Sequence, residues 1–132
     1  MIGQLGRLLI VNHQLNFARR IGLIAERLGL TTRVLPHTLD LEYVMQHWHP
    51  EIVAVHMEMP DQQDLEVLEF LEHSSFSGQV LMTGDAPNSC LQLAADVARH
   101  HGLTVSSVLT ANSSDNQIEE ALRLLRGIER AA

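Results

Sequence analysis

Pro50-Glu51-Ile52-Val53-Ala54-Val55-His56-Met57-Glu58-Met59-Pro60 decides the fold. Ile52 to Val55 is an apolar run with no polar interruption, the mark of a strand buried on both faces of a parallel sheet. The run ends on a polar residue, His56, and passes into a Met-Pro turn. A polar side chain at the carboxyl end of such a strand stands where parallel α/β sheets place their ligand sites.

Outward from this strand, apolar runs of strand length alternate with helical periodicity. Leu8 to Val11 is a second continuous run, β1. Phe17, Ile21, Ile24 and Leu28 then recur at spacings of four, three and four, one helical stripe (α1) that Gly29 should close as a left-handed cap. Thr31 to Leu35, with β-branched Thr31, Thr32 and Val34, reads as β2. A short helix, α2, is expected from an N-cap near Thr38 to the Trp48-His49-Pro50 turn.

The run Ile52 to Val55 is then β3. A third helix, α3, is expected at or just after Asp64, with Leu65, Leu68 and Leu71 buried, and stops in the Ser74 to Gly78 loop. Val80 to Met82 is β4. The Asp85-Ala86-Pro87 turn starts α4, whose Leu91, Ala94, Ala95 and Ala98 form a narrow apolar face suited to close approach. His100 and His101 suit the negative end of its dipole, and Gly102 ends it. Val105 to Leu109 is β5. Ser114 with Gln117 fits a capping box for α5, whose stripe is Ile118, Ala121, Leu122, Leu125 and Ile128.

Five such units with short connections predict an α/β fold, because each right-handed crossover must lay its helix on the sheet. The expected architecture is a flavodoxin-like five-stranded parallel sheet in the order 2-1-3-4-5 with helices on both faces. One domain over residues 1–132, with its core between residues 7 and 128, accounts for the chain. The crevice where β1 and β3 diverge then gathers Asn12, His13 and His56, closed by Thr83 and the residues after Leu109.

Composition narrows the function. At 132 residues the chain can bury about two thirds of its unfolded surface without disulfides or a structural metal. Hydrophobic residues at 45% and charged residues at 19% argue against disorder. No apolar run approaches the roughly 20 residues that span a bilayer, and Met1 to Gly6 lacks the charged start of a signal peptide, so no membrane contact and a cytoplasmic location are expected. Cys90 is expected to be a semi-buried reduced thiol. All nine basic residues are arginine against sixteen acids, a net charge of -7 that disfavours a polyanion, so no direct nucleic-acid partner is expected.

From Arg7 to Ile128 the chain resembles the receiver domains of response regulators. The resemblance rests on Leu9-Ile10-Val11 before Asn12-His13, on Pro50 to Pro60, on Val80-Leu81-Met82-Thr83-Gly84, and on Gly102-Leu103-Thr104-Val105 through Val108-Leu109-Thr110-Ala111. Leu91 to Leu109 is also similar to receivers that precede EAL-type cyclic-di-GMP phosphodiesterase domains, although no such domain lies in these residues. The resemblance implies a place in two-component phosphorelay signalling, as a non-enzymatic module with a protein partner or a fused output domain.

It also implies a site whose usual chemistry is gone. In the family, two acids after β1 and an aspartate after β3 hold magnesium, a Thr or Ser after β4 binds the phosphoryl oxygen and a lysine after β5 pairs with it. Carried over, only Thr83 remains, with Gly84 as the expected small neighbour. Asn12 and His13 replace the acidic pair, His56 the phosphoacceptor and Ala111 the lysine, with Asn112 where proline usually follows. Asp64 stands at a common loop glycine, and Val108 at a switch aromatic, where it reads as a core valine.

These replacements have consequences of their own. Magnesium prefers octahedral oxygen ligands including carboxylates, so an amide and two imidazoles predict weak binding or none. An acyl phosphate needs a carboxylate nucleophile, and no lysine exists anywhere in the chain to balance its charge. Removing clustered carboxylates also removes their repulsion, so the crevice needs no metal. A degenerate receiver acting by protein interaction, independent of phosphorylation, is therefore expected.

The alternative on the same fold is a histidine-lined ligand or metal sensor, with His13 and His56 as ligands and Glu58 lending a carboxylate. A flavin carrier is disfavoured, because Asn12-His13-Gln14-Leu15-Asn16 is not a glycine- and hydroxyl-rich phosphate loop. His47 and His49 read as a solvated turn around Trp48. Asp61, Asp64 and Asp85 stand near the crevice mouth, where an acid could replace the lost acceptor, but each also has a simpler job at a turn or helix start. Asp96 and Arg99 on α4 with Glu119, Arg123 and Arg126 on α5 supply both signs of charge for an α4-β5-α5 face that could pair two copies of the chain.

Overall fold

Parallel pairing joins the five strands in the order β2-β1-β3-β4-β5, as the crossover argument predicts. The computed structural model describes residues 6–57, 62–85 and 87–131, and the side chains of these except 62–65 and 126–131. The chain runs β1 Arg7–Val11, α1 Leu15–Arg27, β2 Thr31–Leu35, α2 Leu41–Trp48, β3 Ile52–Met57, α3 Gln62–His73, β4 Gln79–Gly84, α4 Asn88–His100, β5 Thr104–Thr110 and α5 Asp115–Ala131. Glu58 and Asp61 lie outside the described residues, as do the side chains of Asp64, Leu65 and Ile128.

Strand alternation divides the core into two layers. Leu9, Val11, Val53, Val55, Val80 and Met82 face α2, α3 and α4, where Leu41, Val44, Leu71, Leu91 and Ala95 pack on them. Leu8, Ile10, Ile52, Ala54 and Leu81 face α1 and α5 and meet Phe17, Ile21, Ile118, Leu122 and Leu125. In β5 the alternation is reset by a bulge: Val80 pairs with Val105 but Leu81 with Ser107. The extra residue sends Val105 to the first layer and Leu109 to the second, although both are odd-numbered. Val108 is consequently half-buried against the α4 side, at the edge of the core and not within it.

The helix ends show which local signals held. Gly29 has φ 95 and Gly102 φ 99, the left-handed conformation in which a side chain would be strained. Ser114 and Gln117 exchange backbone-to-side-chain bonds of 2.8 and 3.2 Å, the capping box read from sequence.

Helix α2 begins later than expected, with Asp40 at the N-cap, because Leu41 N donates to the Thr38 carbonyl in a preceding turn and Thr38 caps nothing. Helix α3 begins earlier, at Gln62, since two glutamines are good helix formers and extend it by a turn's fraction. Cys90 is exposed, a departure from the semi-buried thiol expected. The sheet-facing stripe of α4 is Leu91, Ala95 and Ala98, and one residue off that stripe rotates Cys90 about 100° away.

Strands β3 and β4 both run further than their apolar runs. Pairing continues through His56 with Thr83 and Met57 with Gly84. The two polar residues therefore belong to the ladder itself and are held by backbone bonds on a buried strand pair. Among the described residues no helix is long and apolar enough to cross a membrane.

Candidate functional site

The crevice forms at the carboxyl ends of β1 and β3, as the strand order requires. Asn12 extends β1 by donating its N–H to the Leu35 carbonyl at 3.1 Å, and its Oδ1 accepts the Gln14 N–H at 2.7 Å. That Asx turn releases the chain into α1. Asn12 Nδ2 is buried with no hydrogen-bond partner among the described residues.

His56 is enclosed, its side chain 1% exposed. Its Nδ1 lies 2.9 Å from Thr83 Oγ1, a hydrogen bond whose donor is set by the imidazole tautomer. The Phe17 ring meets it edge-on at 5.9 Å, and the exposed His13 ring does so at 6.5 Å. On the outer side, His56 Nε2 is 3.6 Å from Asp85 Oδ2. The same carboxylate oxygen accepts from Gln14 Nε2 at 2.6 Å. Asp85 is fixed in turn by its N–H, which donates to the Met57 carbonyl at 3.2 Å.

Asn12, His56 and Thr83 are thus gathered at the floor of one crevice, with His13 at its rim. Asp85 stands at the crevice mouth as its sequence position suggests, whereas Gln14 and Phe17 join the site without a signal in the sequence. Sequence places Asp85 near the crevice mouth, and the approach of the β4 end to the β3 end turns its carboxylate toward His56. Gly84 makes that approach possible: a Cβ there would collide with the Met57 carbonyl and with Leu91.

Ala111 donates its N–H to the Gly84 carbonyl at 2.8 Å and packs on the α1–α5 layer. Its short side chain leaves open a cleft of about 460 Å³ bounded by Gln14, Phe17 and Arg20. Arg20 is the nearby cation, but its guanidinium is committed to Asp115 at 2.8 Å and to the Ser113 carbonyl at 2.9 Å. Among the described residues the floor offers one imidazole, one hydroxyl and one amide, with the Asp85 carboxylate at the mouth. Among the described residues no three His, Cys, Asp or Glu side chains are arranged to hold a metal ion.

His47 and His49 do not converge. His47 stacks on Tyr43 at 4.1 Å and its Nδ1 is 2.9 Å from the Tyr43 carbonyl, whereas His49 adopts a left-handed cap with φ 53.

The charges read as an interaction face are only partly brought together. Asp96 and Arg99 pair at 3.0 Å, and Arg99 also donates to the Val105 carbonyl of β5. Glu119 and Arg123 pair at 2.7 Å within α5. They follow Asp115 at steps of four, on the strip that Asp115 turns toward Arg20 of α1. The side chain of Arg126 lies outside those described. What borders the cleft over β5 is instead Val108, Gln117, Glu120 and Leu124, around a volume of about 500 Å³. Leu124 is 57% exposed there, an apolar residue one step off the buried α5 stripe.

Solved structures with a similar fold include receiver domains. A response regulator from Colwellia psychrerythraea superposes with a TM-score of 0.79 at 18% identity, covering 95% of this chain and 99% of that one. The signal receiver domain of a putative Luxo repressor protein from Vibrio parahaemolyticus gives 0.78 at 12% identity, with 97% and 95% covered. A CheY-like response regulator receiver domain protein from Methanospirillum hungatei JF-1 gives 0.77 at 14% identity, with 98% and 100% covered. No protein-family model and no curated protein matches the sequence. At these identities the likeness establishes the flavodoxin-like, CheY-like fold.

Proposed function

We propose that this chain is an atypical receiver domain of two-component phosphorelay signalling, working as a phosphorylation-independent protein-interaction module. The observation that carries the reading is the His56–Thr83 bond. The residue at the acceptor position is an imidazole engaged with the one hydroxyl that a phosphoryl group would need. Around it, Asn12, His13 and Ala111 supply neither a carboxylate pair for magnesium nor a cation for a phosphoryl oxygen. The fold neighbours support the signalling context. One of them is the N-terminal domain of a response regulator/sensory box/GGDEF 3-domain protein, so a receiver fold at the head of a longer chain has a precedent.

On this reading the domain is not an enzyme, acts in the cytoplasm, and docks a protein partner or an attached output domain. Its pairing surface is the cleft over β5 bordered by Val108, Gln117, Glu120 and Leu124, which also suits a homodimer. The deciding experiment is incubation with a small phosphodonor and magnesium, followed by intact-mass measurement. The expected mass is unchanged. An acid-labile gain of one phosphate, mapped to His56 or Asp85, would overturn the reading.

A second reading, a histidine-lined ligand or metal sensor, is favoured by one observation. Buried Asn12 Nδ2 has no partner among the described residues, and an acceptor atom lodged in the crevice would satisfy it. A ligand at 100 times its Kd should stabilise the fold by about 2.7 kcal/mol, so a thermal-shift panel of zinc, copper, nickel and nucleotides separates the two readings.

A further inference from the structure

On the opposite face from α1 and α5, helix α2 stands apart from α3. Only Leu41 and Val44 of its eight residues are buried. Met45, Phe70 and Phe76 are left half-buried along the seam, packed beneath by the core and open above. Two clefts of about 450 and 250 Å³ lie along this seam and share Glu42 and Phe70 as walls, so they form one groove. At its upper mouth sits Leu39, 85% exposed. Scattered exposed leucines need no explanation, but this one continues an apolar floor.

The groove's rims carry charge of one sign. Glu42 of α2 and Glu66 of α3 both border the upper cleft, and Glu51 borders the lower one. Neither Glu42 nor Glu66 has an ion-pair partner among the described residues. The nearest contact is a 3.4 Å bond from the Gln46 amide to Glu42. The residues bounding the two clefts include no arginine, and the chain contains no lysine. Carboxylates bordering an apolar floor favour a partner that brings cations to the same edges.

We infer that the α2–α3 groove docks a basic amphipathic helix of a partner protein. The helix lays its apolar face on Leu39, Met45 and Phe70 and sets Lys or Arg on its flanks against Glu42 and Glu66. The eight residues of α2 span about 12 Å, enough to border about two turns of a docked helix. A second copy of this face is disfavoured as occupant, since it would bring acid rim against acid rim. The inference concerns residues other than those of the crevice and does not rest on the reading proposed for it.

The test uses the full chain and a fluorescent peptide of about 18 residues with leucines on one helical face and lysines and arginines on the other. Fluorescence anisotropy should show saturable binding, and amide chemical-shift changes should cluster on α2 and α3. Glu42→Arg with Glu66→Arg should weaken binding at least about tenfold, and Leu39→Ser by a few fold, with circular dichroism confirming that each variant folds. Glu42→Gln with Glu66→Gln gives the same test without charge reversal and should also weaken binding.

A peptide with glutamates in place of its cations should not bind. Absence of saturable binding up to about 1 mM, or binding that the rim variants leave unchanged, overturns the inference. So does sedimentation showing that the free groove is closed by a second copy and opened by the same substitutions.

Discussion

The His56 imidazole and the Thr83 hydroxyl, paired residues on adjacent strands, lie 2.9 Å apart in a buried hydrogen bond. Because β3 and β4 continue their ladder through this pair, the bond is held by two backbones and not by a mobile loop. It ties the acceptor-position imidazole to the β4 hydroxyl on the crevice floor.

Breaking that bond from either side should destabilise the domain. Thr83→Val keeps the shape but removes the hydroxyl and should cost about 1–3 kcal/mol. His56→Ala also leaves a cavity beside Phe17, and should cost about 2–4 kcal/mol. The double variant should cost less than the sum, by about 1 kcal/mol, since both singles remove one interaction. Urea unfolding of the four proteins measures the coupling, and strict additivity would show the bond contributes nothing.

Putting carboxylates back should make the crevice metal-dependent. Asn12→Asp with His56→Asp places two like charges together, so the variant should be less stable than the parent without magnesium and regain stability with it. The parent's melting temperature should not respond to magnesium. Differential scanning calorimetry with and without the ion decides it.

Gly84 is the hinge of the site's geometry. Gly84→Ala should destabilise by about 1–3 kcal/mol, because the added methyl meets the Met57 carbonyl and Leu91 and forces the strand ends apart. Amide exchange should rise first at Asp85 and Ala111, whose N–H groups donate to the Met57 and Gly84 carbonyls there.

Two leucines on α5 should separate fold from interaction. Leu122 is fully buried, and Leu122→Ala should cost about 2–5 kcal/mol in denaturant. Leu124, 57% exposed over the β5 cleft, should tolerate alanine within about 0.5 kcal/mol. Leu124→Glu should instead weaken any self-association seen by sedimentation. Unchanged association would move the pairing surface off this cleft.

Capping supplies a local control. Ser114→Ala should cost about 1 kcal/mol by exposing the Gln117 N–H, and Ser114→Asp should retain most of that stability. Thermal unfolding of both variants checks the pair.

How much was legible follows from the range of each interaction. The apolar runs Leu8 to Val11 and Ile52 to Val55, the stripe of α5 and the cap at Ser114 are short-range signals, and they announced the sheet, its order and most helix ends. Asn12, His56 and Thr83 could be assigned to one crevice because parallel strand order brings the carboxyl ends of β1, β3 and β4 together. The identity of those side chains likewise carried its own chemistry, since residue type alone says that imidazole and amide are poor magnesium ligands.

Tertiary structure decided what depends on rotation and close approach. The bulge in β5, one extra residue between Val105 and Ser107, chose which face Leu109 and Val108 take, and no periodicity in the sequence marks it. The turn of Asp85 toward His56, the commitment of Arg20 to Asp115, and the separation of Glu119 and Arg123 from the β5 cleft all join residues far apart in the chain. The open seam between α2 and α3 is of the same kind: a local pattern says that a helix forms, but only packing says how far it stands from its neighbour.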